Sequence, residues 1–223
     1  MKQTIFEFNK NNYKKSDFIV SETNKIAHQI IENWPNDVWG VHPYERTLIL
    51  RGPPSSGKSF LAYNWSLSAE AKFINISQKL TGEELEGYEN FIIEDIDYIQ
   101  DEKSILHNFN ILNESRKYLL MTCVDMPDIK LADLGSRLKA TNSIAISYPD
   151  DHLIKILIFK FFSDHFVRIP PSVTNYLLQY LPRRFDLLNK ILSRINNYSL
   201  ENKQKITIPL IKKIIAENDN CLV

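Results

Sequence analysis

The sequence predicts an α/β fold: a five-stranded parallel sheet covered by helices on both faces, followed by a small all-helical unit. Three observations carry this expectation. The octapeptide Gly52-Pro53-Pro54-Ser55-Ser56-Gly57-Lys58-Ser59 fits the Gly-x4-Gly-Lys-Ser/Thr pattern of a phosphate-binding loop. Five short, β-branched apolar runs alternate with helical patterns. After Tyr148-Pro149-Asp150 the strand-like runs stop and helical periodicity takes over.

Taken in order, the stretch from Asn24 to Asn33 places Ile26, Ala27, Ile30 and Ile31 on one helical face. Trp34-Pro35 ends it, because the residue before a proline is pushed out of the helical region. Thr47–Arg51 reads as a buried strand and Ser59–Trp65 as the first turns of a helix. A phosphate loop needs this context: its N–H groups turn inward, and the helix N-terminus adds the positive end of its dipole. Further strands are expected at Lys72–Ile76, Phe91–Ile93, Tyr118–Cys123 and Ser143–Ser147. Runs that are apolar throughout suit a parallel sheet buried on both faces. In the second unit, Asp150 or Asp151 can cap a helix through Phe162, and Ser172 can cap another from Val173 to Leu181. A third runs from Phe185 to Asn197, with Leu188, Ile191, Leu192 and Ile195 at helical spacing. Ile208-Pro209 opens a fourth, the proline standing where a first helical turn tolerates it.

A chain of 223 residues has room for one ordinary domain and a small second one. Its 27 basic and 27 acidic residues cancel, so no global charge draws it to nucleic acid or an anionic membrane. Two cysteines, Cys123 in an apolar run and Cys221 near the end, do not make a disulfide scaffold and fit a reducing compartment. The N-terminus has no apolar signal core, and the most apolar long segment, Leu153 to Phe162, is interrupted by Lys155 and Lys160. A cytoplasmic protein without a membrane partner is expected.

Within the loop, Lys58 can reach the outer phosphates of a nucleoside di- or triphosphate and the Ser59 hydroxyl can hold Mg2+. The alternative, a Gly/Pro turn that happens to precede Lys-Ser, does not account for the flanks. The second motif is Phe91-Ile92-Ile93-Glu94-Asp95-Ile96-Asp97. An apolar strand ending in carboxylates delivers them beside the loop, because ligands collect at the carboxyl ends of parallel strands. Glu94 is the candidate for the magnesium shell with Ser59, and Asp95 for orienting the attacking water. Acidic residues that merely cap the next helix are the plainer reading of this motif taken alone.

Further motifs resemble the DnaA/Hda family of AAA+ proteins, most closely its Hda branch, the regulatory inactivator of the initiator DnaA. Phe18-Ile19-Val20-Ser21-Glu22-Thr23-Asn24 is similar to the family's Phe-x-Val-Gly-x-x-Asn segment, which implies an adenine pocket lined by Ile19 and Val20. Asp133-Leu134-Gly135-Ser136-Arg137-Leu138 resembles the Asp-Leu-x-Ser-Arg-Leu box, whose arginine acts as a finger on a neighbouring subunit's nucleotide. Leu181-Pro182-Arg183-Arg184-Phe185 resembles the start of the sensor 2 helix, with Arg183 toward the nucleotide and Arg184 toward water or an acidic partner. Ser199-Leu200 followed by Ile206-Thr207-Ile208-Pro209-Leu210 resembles the domain ending. Met1-Lys2-Gln3-Thr4-Ile5-Phe6-Glu7-Phe8 is similar to the peptide by which Hda-type proteins dock on the replication sliding clamp, implying contacts from Gln3, Ile5, Phe6 and Phe8. A strand packing Phe6 and Phe8 on its own domain is the alternative there, as a solvated helix residue is for Arg137.

The resemblance implies three segments: a clamp-binding-like peptide over 1–15, an AAA+ nucleotide-binding domain over 16–149 and a helical lid over 150–223. It implies ADP or ATP with Mg2+ as cofactors, the loop from Gly52 through Ser59 with the following Phe60 as their cradle, and DnaA and the clamp as partners, with a homo-oligomer left open. The chain stops after the lid helices, so the DNA-binding domain of DnaA, and sequence-specific DNA binding with it, is expected to be missing. Four departures point to weak intrinsic hydrolysis. Glu94 stands where the family has Asp, Val124 where it has a polar sensor 1 residue, Phe60 where it has His, and Ser21 where it has Gly. The function implied is negative regulation of initiation, with Arg137 completing hydrolysis of DnaA-bound ATP in trans. An active ATPase such as a helicase loader, or a non-catalytic adaptor, is the alternative.

Overall fold

The computed structural model describes residues 18–36 and 42–216. Two compact units divide between Ser147 and Tyr148. The first contains β1 (Thr47–Arg51), β2 (Lys72–Ile74), β3 (Asn90–Ile93), β4 (Tyr118–Cys123) and β5 (Asn142–Ala145). Its helices are α1 (Lys25–Asn33), α2 (Lys58–Ser68), α3 (Glu102–Glu114) and α4 (Ala132–Ala140). The strands form one sheet in the order β2-β3-β4-β1-β5, and each pairing is parallel. The sheet predicted from the sequence is therefore present.

Strand alternation splits the core between two faces. Ile49, Phe91, Ile93, Met121 and Cys123 point to the side covered by Phe109 and Leu112 of α3 and by Leu134 and Leu138 of α4. Leu48, Leu50, Ile92, Leu120 and Ile144 point to the other, covered by Ala27 and Ile31 of α1 and by Leu61, Ala62 and Trp65 of α2. Burying a side chain of this size stabilises by roughly 1.5–3 kcal/mol. The double coverage explains why β1 and β4 read as unbroken apolar runs. β4 pairs with β3 on one side and β1 on the other, so three strand ends meet along one edge.

Three strands differ from the expected ranges: β3 begins one residue early at Asn90, and β2 and β5 differ for local reasons. β2 stops at Ile74 because Asn75 turns the chain, its side chain accepting the Ser77 N–H at 2.9 Å. β5 begins earlier and ends at Ala145; the Ser147 N–H then leaves the sheet to bond the Thr23 carbonyl at 2.9 Å.

The second unit is α5 (Asp151–Asp164), α6 (Pro171–Tyr180), α7 (Phe185–Glu201) and α8 (Ile208–Ala216) around a core that includes Ile158, Phe162, Leu177, Leu192 and Ile211. Asp150 caps α5, its carboxylate accepting the Leu153 N–H at 2.7 Å. Ser172 does not cap α6. The helix starts two residues before the expected Val173, at Pro171, whose ring presets the backbone angle and removes an N–H that would need a partner. α7 runs on to Glu201. Among the described residues no helix is long and apolar enough to cross a membrane.

Candidate phosphate-binding site

β1 delivers the loop and α2 receives it. The Gly52 N–H bonds the Cys123 carbonyl at 3.2 Å, tying the loop's first residue to the end of β4, and the Ser56 N–H closes a turn onto the Pro53 carbonyl at 3.2 Å. Both glycines are sterically required. A Cβ on Gly52 would lie 2.9 Å from Ser56 Oγ and 3.0 Å from Ile146. Gly57 has φ +98°, and a Cβ there would lie 2.8 Å from the Phe18 ring. Side chains at these positions would push on Ser56, Ile146 and Phe18 and distort the loop.

Lys58 is buried, and its amine donates to the carbonyls of Gly52 at 2.8 Å and Pro53 at 3.1 Å. Burial pushes its pKa below the ordinary lysine value, while the charges of Asp95 and Asp97 pull the other way. Ser56 Oγ is buried with no hydrogen-bond partner among the described residues. A buried hydroxyl in that state costs about 1–3 kcal/mol. An ammonium, an unmatched buried hydroxyl and the first N–H groups of α2, which have no intrahelical acceptor, form a donor set suited to phosphate.

The leading segment closes one wall. Asn24, buried, donates to the Ile19 carbonyl at 2.9 Å and accepts the Ser21 N–H at 2.8 Å, fixing the backbone around Ile19 and Val20. The Phe18 ring stacks between His28 and Phe60, with both centroid distances 5.4 Å. Phe60 thus serves as a packing surface for the segment that precedes the first helix.

The acidic side follows β3. Glu94 is half-buried at the strand end, and Asp95 is exposed with φ +56°, a left-handed backbone that is strained for a residue carrying a Cβ. The Asp95 N–H is held by Thr122 Oγ1 at 3.0 Å. A 3-10 turn, Ile96–Tyr98, then brings Asp97 back to β4, where its Oδ1 accepts the Val124 N–H at 2.7 Å. The Cys123 thiol is pushed up to about 12, first by burial and then by the charge of Asp97. Ser59 is the second residue of α2, directly after Lys58.

Arg137 is tied elsewhere. On α4, its guanidinium grips Asp133 through two bonds, Nε to Oδ1 at 2.9 Å and Nη2 to Oδ2 at 3.2 Å, and Nη1 reaches the Tyr44 hydroxyl at 3.4 Å. Its pKa lies above the ordinary arginine value because of the Asp133 bonds. Arg183 belongs to the second unit, where it pairs with Asp151 at 2.7 Å and donates to the Leu178 and Leu181 carbonyls. Arg184 pairs with Asp186 at 2.9 Å, and both arginines precede α7 instead of lying on it. Gln3, Ile5, Phe6 and Phe8 lie outside the described residues.

Sequence reasoning missed three contributors. Thr122 is hidden inside an apolar run, Asn24 appears there only as part of a motif, and Asp97 follows two acidic residues that draw the attention. A hydroxyl one residue before the end of a buried strand was the available signal for Thr122.

Residues 154–215 match the family model described as Hda, lid domain. The chain also aligns with domain III of the Thermotoga maritima replication initiation protein DnaA at a TM-score of 0.72 and 16% identity, covering 92% of this chain and 96% of that one. This is a DnaA/Hda-like AAA+ chain. A curated chromosomal replication initiator protein DnaA from Buchnera aphidicola subsp. Cinara cedri is 24% identical over 238 residues, spanning 94% of this chain and 53% of the relative. The DnaA/Hda-like chain spans about half or less of the length of the curated initiators it matches. A structure of replication initiator DnaA bound to AMPPCP and single-stranded DNA matches at a TM-score of 0.65 and 15% identity, covering 86% of this chain and 67% of that one.

Proposed function

We propose that this chain is a nucleotide-holding regulator of replication initiation that completes the ATP hydrolysis site of a DnaA subunit. ADP or ATP sits in the loop from Gly52 to Ser59, with its base against Ile19 and Val20 and its phosphates met by Lys58 and by Ser56. Ser59 and Glu94 hold Mg2+, and Asp95 is the carboxylate available to a water. When bound, Mg2+ neutralises charge on the phosphate oxygens. The bound nucleotide orders the scaffold, and Arg137 acts on the ATP of the partner. Gln3, Ile5, Phe6 and Phe8 dock the chain on the sliding clamp in the cytoplasm.

The observation that carries this reading is the contrast between the two cations. Lys58 is 7% exposed and turned into its own loop. The Arg137 side chain is 27% exposed on α4, its planar fork held by a surface aspartate that a phosphate can replace. The test mixes the protein with DNA-loaded clamp and ATP-bound DnaA and measures ATP hydrolysis. Stimulation that disappears in Arg137→Ala and weakens in the Gln3→Ala/Phe6→Ala double variant is expected. Absence of stimulation by the unaltered chain sinks the reading. Turnover by the isolated chain, lost in Lys58→Ala, replaces it with an ATPase.

A further inference from the structure

β4 lies between the strand that delivers the phosphate loop and the strand that delivers the carboxylates. A single peptide group at its end serves both neighbours. The Cys123 carbonyl accepts from Gly52 N–H at 3.2 Å, and the Val124 N–H of the same peptide donates to Asp97 Oδ1 at 2.7 Å. The Val124 side chain offers no polar atom at this junction. Asp97 Oδ2 is buried, with no hydrogen-bond partner among the described residues. An ionised carboxylate is an acceptor at both oxygens, and a buried acceptor left unmatched is costly, so its persistence calls for a reason.

We propose that Asp97 is the polar group that serves the end of β4, where the Val124 side chain offers none, and that its charge sets how strongly the site distinguishes a triphosphate from a diphosphate. This rests on the reading of Gly52–Ser59 as a nucleotide site. Asp97 reaches the loop by two routes. One is mechanical: the Cys123–Val124 peptide joins its carboxylate to the first loop residue through one rigid plane. The other is electrostatic. A carboxylate carries a charge that a neutral polar side chain in this place would not, so it repels each added anionic phosphate. The charge of Asp97 is felt at the Lys58 amine, the cation that faces the same phosphates.

Asp97→Asn separates the two routes, because the amide oxygen can still accept from Val124 N–H while the charge is gone. Binding of ADP and of AMPPCP, each with Mg2+, is measured by calorimetry on the full chain, with thermal melting as the check on folding. The affinity ratio of AMPPCP to ADP is expected to rise about tenfold in Asp97→Asn, the scale of one pKa unit of charge–charge interaction. Asp97→Glu, which keeps the charge, is expected to stay within about threefold of the unaltered ratio. A folded Asp97→Asn protein with an unchanged ratio, or an Asp97→Glu protein that shifts as far as Asp97→Asn, overturns the inference and leaves the nucleotide reading standing. An unaltered chain that binds neither nucleotide overturns both. If Asp97→Asn does not fold, Asp97→Ser is read by the same criterion.

Discussion

Lys58 and Arg137 are the two cations on which the functional reading depends, and the first unit treats them in opposite ways. Lys58 is enclosed at the sheet edge, donates to carbonyls of its own loop, and loses proton affinity through burial. Arg137 projects from α4, gains proton affinity from Asp133, and takes both principal bonds from a residue one helical turn away. The enclosed cation stands among the glycines and the buried Ser56 hydroxyl of its own loop. The projecting one has an opposing aspartate and a tyrosine hydroxyl. One arrangement suits a ligand retained by the chain, and the other suits a group offered to a partner.

Variants can break that contrast directly. The largest expected effect is on Arg137→Ala: stimulation of hydrolysis of DnaA-bound ATP falls by about a thousandfold or more, the scale of an arginine finger, while the variant's own nucleotide binding stays unchanged. Equal losses in both assays would merge the two regions into one site. Next is Cys123, beside the enclosed cation. With its thiol raised from 9.0 to about 12, its thiolate fraction near neutral pH is about a thousandfold below that of an ordinary cysteine. Alkylation followed by peptide mass spectrometry is expected to mark Cys123 only after unfolding. Rapid labelling of the folded chain would mean that this edge of the sheet opens.

Lys58→Ala is expected to weaken nucleotide binding on the order of a hundredfold, the value of a charge-assisted bond to phosphate, measured by titration with a fluorescent nucleotide. Gly57→Ala sharpens the enclosed side further. Its left-handed backbone and the Phe18 ring 2.8 Å from the added methyl lead to roughly 1–2 kcal/mol of destabilisation in chemical denaturation, with weaker binding alongside. The smallest effect belongs to the exposed side. Asp133→Asn is expected to change stability by a few tenths of a kcal/mol, as surface pairs one turn apart do, and to leave nucleotide binding alone.

What the sequence revealed follows the same division. β1 and β4 were legible to the residue because burial on both faces leaves a continuous apolar run with nothing to blur its ends. β2 was overextended, since Ile76 continues the apolar pattern while the turn depends on a side-chain bond from Asn75. The helical second unit was legible in its periodicity, but Ser172 drew the N-cap that the preceding prolines made unnecessary. At the site, the loop announced itself because only glycine can occupy its two close approaches. The bonds from Asp95 N–H to Thr122 and from Val124 N–H to Asp97 join residues 27 apart, so they depend on the register between β3 and β4, which local patterns do not encode. The start of α7 at Phe185, and with it the place of Arg183 and Arg184 ahead of the helix, was legible from its apolar spacing; their ion pairs with Asp151 and Asp186 were not.

Farther along α2 the indole of Trp65 stacks on Trp34 at 4.8 Å and donates its N–H to the Trp34 carbonyl at 2.8 Å, with both rings buried. Trp65 is seven residues, about two turns, from Lys58 on the same rigid rod. The molecule therefore carries its own optical gauge. Any rotation of α2 on filling of the loop would change the overlap of these two emitters in a dry setting, and ultraviolet fluorescence would report it without a dye attached to nucleotide or protein.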